Sequence, residues 1–200
     1  MNPRSTVDPS LVWYVSYGSN CSTERLGCYL RGGTPPGGSR RNPGARDPRM
    51  PRRSTGVELP GEVYFAGESP QWGGGVAFFD PEAEGTAYAV AHLLTPAQLT
   101  DIATQEMYLD PSPENPLDEA MLAGESLRFG EGRYEHLIAL GDLDGHRMLT
   151  FTAPSPHAAA ARNPPTPAYL ATLAAGLLES GRWAPVEVQA YLTRITSAHR

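Results

Sequence analysis

Two rhythms of apolar residues run along this chain. The stretch 11–17, LVWYVSY, is rich in β-branched and aromatic residues and is a strand by propensity. Strand-like stretches recur at 56–66, 75–79, 85–94, 134–140 and 147–153, and the last two flank Gly141-Asp142-Leu143-Asp144-Gly145, which suits a hairpin. Helical spacing takes over elsewhere. The segment after the first strand keeps Leu26 and Leu30 on one face and stops at Gly32-Gly33. Thr95-Pro96 opens a helix over TPAQLTDIATQEM, and Thr166-Pro167 opens another that closes at Gly181, each pairing an N-cap with a proline in the first turn. A last helix, about 185–196, gathers Val188, Tyr191, Leu192 and Ile195 on one face. About six strands, few of them separated by helices of crossover length, predict an α+β fold: a mostly antiparallel or mixed sheet, closing on itself, with helices around it.

Between these elements lie two further stretches, the first of them without periodicity. Residues 31–53 are rich in Pro and Gly and carry seven arginines against one aspartate. Residues 107–133 form an extended, partly acidic segment. The expected organisation is one domain over residues 1–200, with a basic loop at about 31–55 and an insertion at about 108–132. The basic loop reads as a solvated loop, lying over a pocket mouth or meeting an anionic ligand or partner.

Composition narrows the classes. The net charge of −6 argues against a general nucleic-acid binder, and all sixteen basic residues are arginine, which reads as coding bias rather than selection for arginine chemistry. No apolar run reaches the roughly 20 residues that span a membrane, and the first ten residues lack the apolar core of a secretory signal, so a cytoplasmic location is expected. Cys21 and Cys28 stand seven residues apart on one helix, a rise of about 10 Å, too far for a disulfide. The five histidines show no metal-ligand spacing, so no metal is expected.

One residue breaks the helical pattern at 95–107. Its apolar stripe is Leu99, Ile102 and Ala103, and the next position at that spacing is Glu106, while Gln98, Asp101 and Gln105 supply the opposite, polar face. Glu106 also ends the helix, where the macrodipole disfavours an anion. Burying it without a partner costs several kcal/mol. It is therefore either a boundary glutamate paired with an arginine or a general base in a pocket.

The turn Tyr17-Gly18-Ser19-Asn20 leaves the first strand just before a helix. With WYVSYGSNCSTERL in front, WGGGVAFF and GTAYAVAHLLTPAQLTDIATQE in the middle, GEGRY next and PPTPAYLATLAAGLLESG behind, the chain resembles the γ-glutamylcyclotransferase-like family along nearly its whole length. That resemblance implies a small mixed β-barrel with flanking helices and no metal or organic cofactor. It makes Glu106 the catalytic residue. Tyr17, Gly18, Ser19, Asn20 and Tyr134 become substrate-binding. The implied reaction is attack of a γ-glutamyl α-amine on its own γ-amide, releasing 5-oxoproline and an amine. The expected partner is that small-molecule substrate, not nucleic acid or a membrane, with a homodimer left open. The amides of Gly18, Ser19 and Asn20 could then cup a carboxylate or an oxyanion. Three departures stand out: Cys21 where the family usually has an aliphatic residue, the basic loop, and the segment between Glu106 and Tyr134. Two other readings stay open, a non-catalytic binding member of the same fold and a thiol enzyme using Cys21 at a helix N-terminus.

Overall fold

In the computed structural model, which describes residues 10–115, 117–123, 125–128, 133–153 and 160–197, the first strand is the axis of the molecule. Strand β1 (Val12–Ser16) is buried on both faces. Trp13 and Val15 point into one apolar core and Val12 and Tyr14 into the other, which is why its sequence shows no polar alternation. A short 3-10 turn (Ser19–Cys21) follows, then helix α1 (Thr23–Arg31).

Next come β2 (Arg53–Pro60), β3 (Glu62–Ala66), β4 (Val76–Asp80) and β5 (Thr86–Leu94). Helices α2 (Pro96–Glu106) and α3 (Leu117–Ala123) lead to β6 (Leu127–Arg128), β7 (His136–Leu143) and β8 (His146–Thr152), and α4 (Pro167–Glu179) and α5 (Pro185–Ser197) end the described chain.

Six strands form one sheet in the order β2-β5-β1-β8-β7-β6, with β1 and β8 parallel and every other pair antiparallel. The sheet curls into half a barrel rather than closing, and β3 and β4 make a separate two-stranded ribbon. The single strand expected over 56–66 is two strands. At Gly61, φ is +121° and a Cβ would lie 2.5 Å from the carbonyl oxygen of Asp80, so only glycine turns the chain from the sheet into the ribbon. The hairpin between β7 and β8 turns at Asp144 and Gly145, both with positive φ. Helix α3 and strand β6 fall inside the stretch expected as an insertion, and β2 begins before the expected end of the basic loop.

The core on one side of the sheet is built with α4 and α5, the other with α1 and α2. Helix α4 meets the 3-10 turn backbone to backbone: a Cβ on Gly176 would lie 2.1 Å from the carbonyl carbon of Cys21. Its last residue, Glu179, accepts a hydrogen bond from the amide of Thr23 at 2.9 Å and so caps α1 from across the interface.

Candidate functional site

Helix α2 is buried on almost every side, and its expected polar face is not solvated. The basic loop covers it. Gln98 Nε2 donates to the carbonyls of Asp47 and Arg49 at 3.2 and 2.8 Å, the amide of Gly44 donates to Gln105 Oε1 at 3.3 Å, and Arg46 pairs with the fully buried Asp101 at 2.8 Å. Burial pushes the Asp101 carboxyl up despite that partner. Arg46 also reaches Asp118 on α3. One arginine thus ties loop, α2 and α3 together. A capping box of Thr95 and Gln98 fixes the start of α2, and its other end delivers Glu106 to a cleft.

Glu106 is half-buried there. Its Oε1 accepts from Asn20 Nδ2 at 2.9 Å, and no arginine pairs with it among the described residues. The same Asn20 amide nitrogen donates to the hydroxyl of Tyr14 at 3.1 Å, while Asn20 Oδ1 is buried with no partner among the described residues. Burial and the Glu106 charge together push up the phenols of Tyr14, Tyr134 and Tyr169. These phenols therefore stay protonated, and all three line the cleft with Glu106.

The 17–20 turn meets this carboxylate through Asn20. Cys21 N donates to Gly18 O at 3.0 Å and Ser22 N to Ser19 O at 3.1 Å, and the cap of α1 is Ser22, which accepts from the amide of Arg25. The amide of Ser19 is not open. It donates to the hydroxyl of Tyr169, from α4, at 3.2 Å. The amides of Gly18 and Asn20 make no hydrogen bond to another described residue. Behind the turn His92 is buried, with Nε2 against the carbonyl of Asn20 at 3.1 Å and Nδ1 against Ser54 Oγ at 2.8 Å. Burial pulls its pKa down to about 4, so a neutral imidazole donates to the turn.

The tyrosines divide by hydrogen-bond role. Tyr17 donates its proton to the carbonyl of Phe151 at 2.7 Å, and Tyr134 donates to that of Ala77 at 2.9 Å. What these hydroxyls retain for a ligand is accepting lone pairs. Tyr169 accepts from Ser19, and its own proton has no acceptor among the described residues. Tyr169 escaped the sequence reading, although it stands three residues after the N-cap Thr166. A tyrosine in an apolar helix stripe carries no sign that it faces a cleft from the far side of the sheet.

Cys21 is buried, and its thiol donates to the carbonyl of Ser16 at 3.0 Å. Burial pushes that thiol up to about 12, which speaks against the thiol-enzyme reading: at neutral pH the group is a protonated donor to the strand. Both cysteines are free, although they do not share one helix: Cys21 closes the 3-10 turn ahead of α1, which carries Cys28.

The cleft has a volume of about 60 Å³, where one water needs roughly 10–15 Å³. It has room for a small amino-acid-like group. Among the described residues no group of three or more His, Cys, Asp or Glu side chains could hold a metal ion, and no helix is long and apolar enough to cross a membrane.

Comparison with known proteins places the fold. A γ-glutamyl cyclotransferase superposes with a TM-score of 0.54 at 16% identity, covering 92% of this chain and 86% of its own. An uncharacterized human protein gives 0.53 at 15% identity, covering 90% and 88%. At such identities the likeness is one of fold, and this chain has the γ-glutamylcyclotransferase-like fold. In sequence it is 30% identical over 205 residues to a protein named histone deacetylase 5 from Arabidopsis thaliana, the match taking in 93% of this chain and 31% of that relative, so the chain spans about a third of its length. No family model matches the sequence.

Proposed function

We propose that the chain is an enzyme that cyclises a γ-glutamyl amide, releasing 5-oxoproline and an amine, with Glu106 as its general acid and base. The observation that carries this reading is the carboxylate at the end of α2, held by Asn20 Nδ2 at 2.9 Å beside the turn at 17–20. A cleft for binding alone would not need an acid turned inward at a helix C-terminus.

A γ-glutamyl group holds its α-amine within five-membered-ring reach of its own γ-carbonyl, so the substrate supplies proximity. Two obstacles remain: the amine is an ammonium at neutral pH, and the leaving amine is poor. Glu106 takes a proton from the ammonium, the freed nitrogen attacks the γ-carbon, the carboxyl returns that proton to the leaving nitrogen as the old C–N bond breaks, and the attacking nitrogen's second surplus proton follows to the departing amine. Tyr17 and Tyr134, with accepting lone pairs to offer, suit the ammonium. The Gly18 and Asn20 amides and the Tyr169 hydroxyl suit the α-carboxylate or the developing oxyanion.

The test is a screen of γ-glutamyl amides and dipeptides with 5-oxoproline release followed by mass spectrometry, run beside Glu106→Gln. That variant keeps the side chain's shape but removes the base, so the protein should fold while turnover drops by about 10²- to 10⁴-fold. Turnover by a folded Glu106→Gln protein at the wild-type rate would remove Glu106 from the mechanism.

A further inference from the structure

Four arginines line the cleft: Arg25 within, and Arg40, Arg41 and Arg133 around the mouth. Against them the lining offers two carboxylates, Glu106 and Asp110, so the cleft keeps two positive charges in surplus on a chain of net charge −6. A low-dielectric cleft of one sign focuses its field on the ligand.

The mouth is built, not merely charged. Tyr108 sits in the left-handed region at φ 64°, which a non-glycine residue adopts at a cost, and its ring lies between the guanidinium of Arg40 at 4.3 Å and that of Arg133 at 5.7 Å. Arg133 is held by the carbonyl of Glu68 at 2.7 Å.

Deeper in, Arg25 is 4% exposed, and its Nη groups reach Asn42 Oδ1 at 2.9 Å and Tyr29 Oη at 2.6 Å. No carboxylate pairs with it among the described residues, and its Nε has no acceptor. Gln71, 7% exposed and lining the same cleft, has Nε2 without an acceptor too. Buried donors left unpaired are costly, and neither of these finds an acceptor among the described residues. The glutamyl group accounts for one carboxylate and brings its own ammonium. The remaining positive charge is left for the rest of the substrate.

We propose that the cleft takes a γ-glutamyl amide whose leaving amine is itself an acidic amino acid, γ-glutamyl-glutamate being the simplest member. The proposal rests on the cyclisation reading above. That dipeptide carries three carboxylates and one ammonium, so its net charge matches the surplus of the lining. The bond formed joins the α-nitrogen to the γ-carbon, and the bond broken joins the γ-carbon to the leaving nitrogen. The two protons lost by the ammonium are the two that the leaving nitrogen gains, and glutamate departs as the free amino acid.

The experiment compares kcat/KM for γ-glutamyl-glutamate, γ-glutamyl-glutamine and γ-glutamyl-lysine with the full chain, at low and high salt, and repeats the first two with Arg40→Gln and Arg133→Gln. In parallel, the Kd of each dipeptide is measured on the Glu106→Gln protein. Glutamate should be preferred to its isostere glutamine by about tenfold and lysine should be worst, with the glutamate-to-glutamine ratio collapsing toward one in either arginine variant and shrinking at high salt. Release of 5-oxoproline with glutamine or lysine leaving as readily as glutamate overturns the acidic leaving group and leaves the cyclisation intact. Selective binding of γ-glutamyl-glutamate with no 5-oxoproline from any of the three supports the ligand class and overturns the cyclisation. Neither turnover nor selective binding overturns both.

Discussion

Gly18 has φ −121° and ψ −150°, a backbone that any residue adopts, so its glycine answers to space and not to conformation. A Cβ there would lie 2.6 Å from the hydroxyl of Tyr169, the group that receives the amide of Ser19. Gly18→Val should therefore displace Tyr169 and abolish γ-glutamyl ligand binding at a modest cost in stability. Isothermal titration beside thermal melting separates the two effects, and unchanged affinity in a folded variant would mean that the turn does not meet the ligand. Cys21 gives the opposite expectation. It is 1% exposed, while Cys28 is half-exposed, so iodoacetamide should label Cys28 in the native protein and leave Cys21 and the activity untouched. Peptide mapping after labelling checks this, and activity lost in step with Cys21 labelling would reinstate a role for the thiol.

At the scale of elements, α4 positions the site from behind. Gly176 lets it touch the backbone of Cys21 and Ser22, so Gly176→Ala should force the helix and the 3-10 turn apart. Overpacking of this kind costs about 1–3 kcal/mol, and a contact against backbone belongs at the upper end. A fall in melting temperature together with a loss of turnover larger than instability explains is the expected result. A variant as stable and active as the wild type would show that the two elements do not need this approach. Much of this layer was legible in the sequence. Thr95 and Thr166, each followed by proline, marked two helix starts, and the spacing of Leu99, Ile102 and Ala103 singled out Glu106. The rest was hidden for physical reasons. Gln98, Asp101 and Gln105 read as a solvated face because nothing in helical spacing reveals a loop folding back over it, with Arg46 supplying the charge that Asp101 needs. Arg25, two positions into the α1 turn, gave no sign that it would be buried beside the cleft without an acidic partner.

At the scale of the whole molecule, β1 and β5 carry the turn, and His92 on β5 links it to stability. The imidazole has an ordinary pKa of about 6.5 in the unfolded chain and is held down to about 4 in the fold. Above pH 6.5 both states are neutral there and the stabilisation is complete. As pH falls toward 4 the unfolded chain takes up the proton and the folded one does not, so about 3 kcal/mol is lost over that window. Urea unfolding at pH 7 and pH 4.5 measures the loss, and His92→Asn should remove this part of it. An equal acid dependence in both proteins would mean that His92 is not the group responsible. The sheet opens as half a barrel and not a closed one, with the cleft between its two cores where β1 ends. A net charge of −6 with a positive cleft mouth suits a small anion drawn to one place on an otherwise repelling surface.

In the proposed reaction the α-amine of the substrate, and not water, attacks the γ-carbonyl, with Glu106 moving the protons. Incubating the protein with a γ-glutamyl dipeptide in ¹⁸O-labelled water and weighing the product tests it directly. The wild type should give 5-oxoproline without ¹⁸O, and Glu106→Gln almost none. Glutamate bearing ¹⁸O from the γ-glutamyl group, or 5-oxoproline formed equally well without the carboxylate, would contradict it.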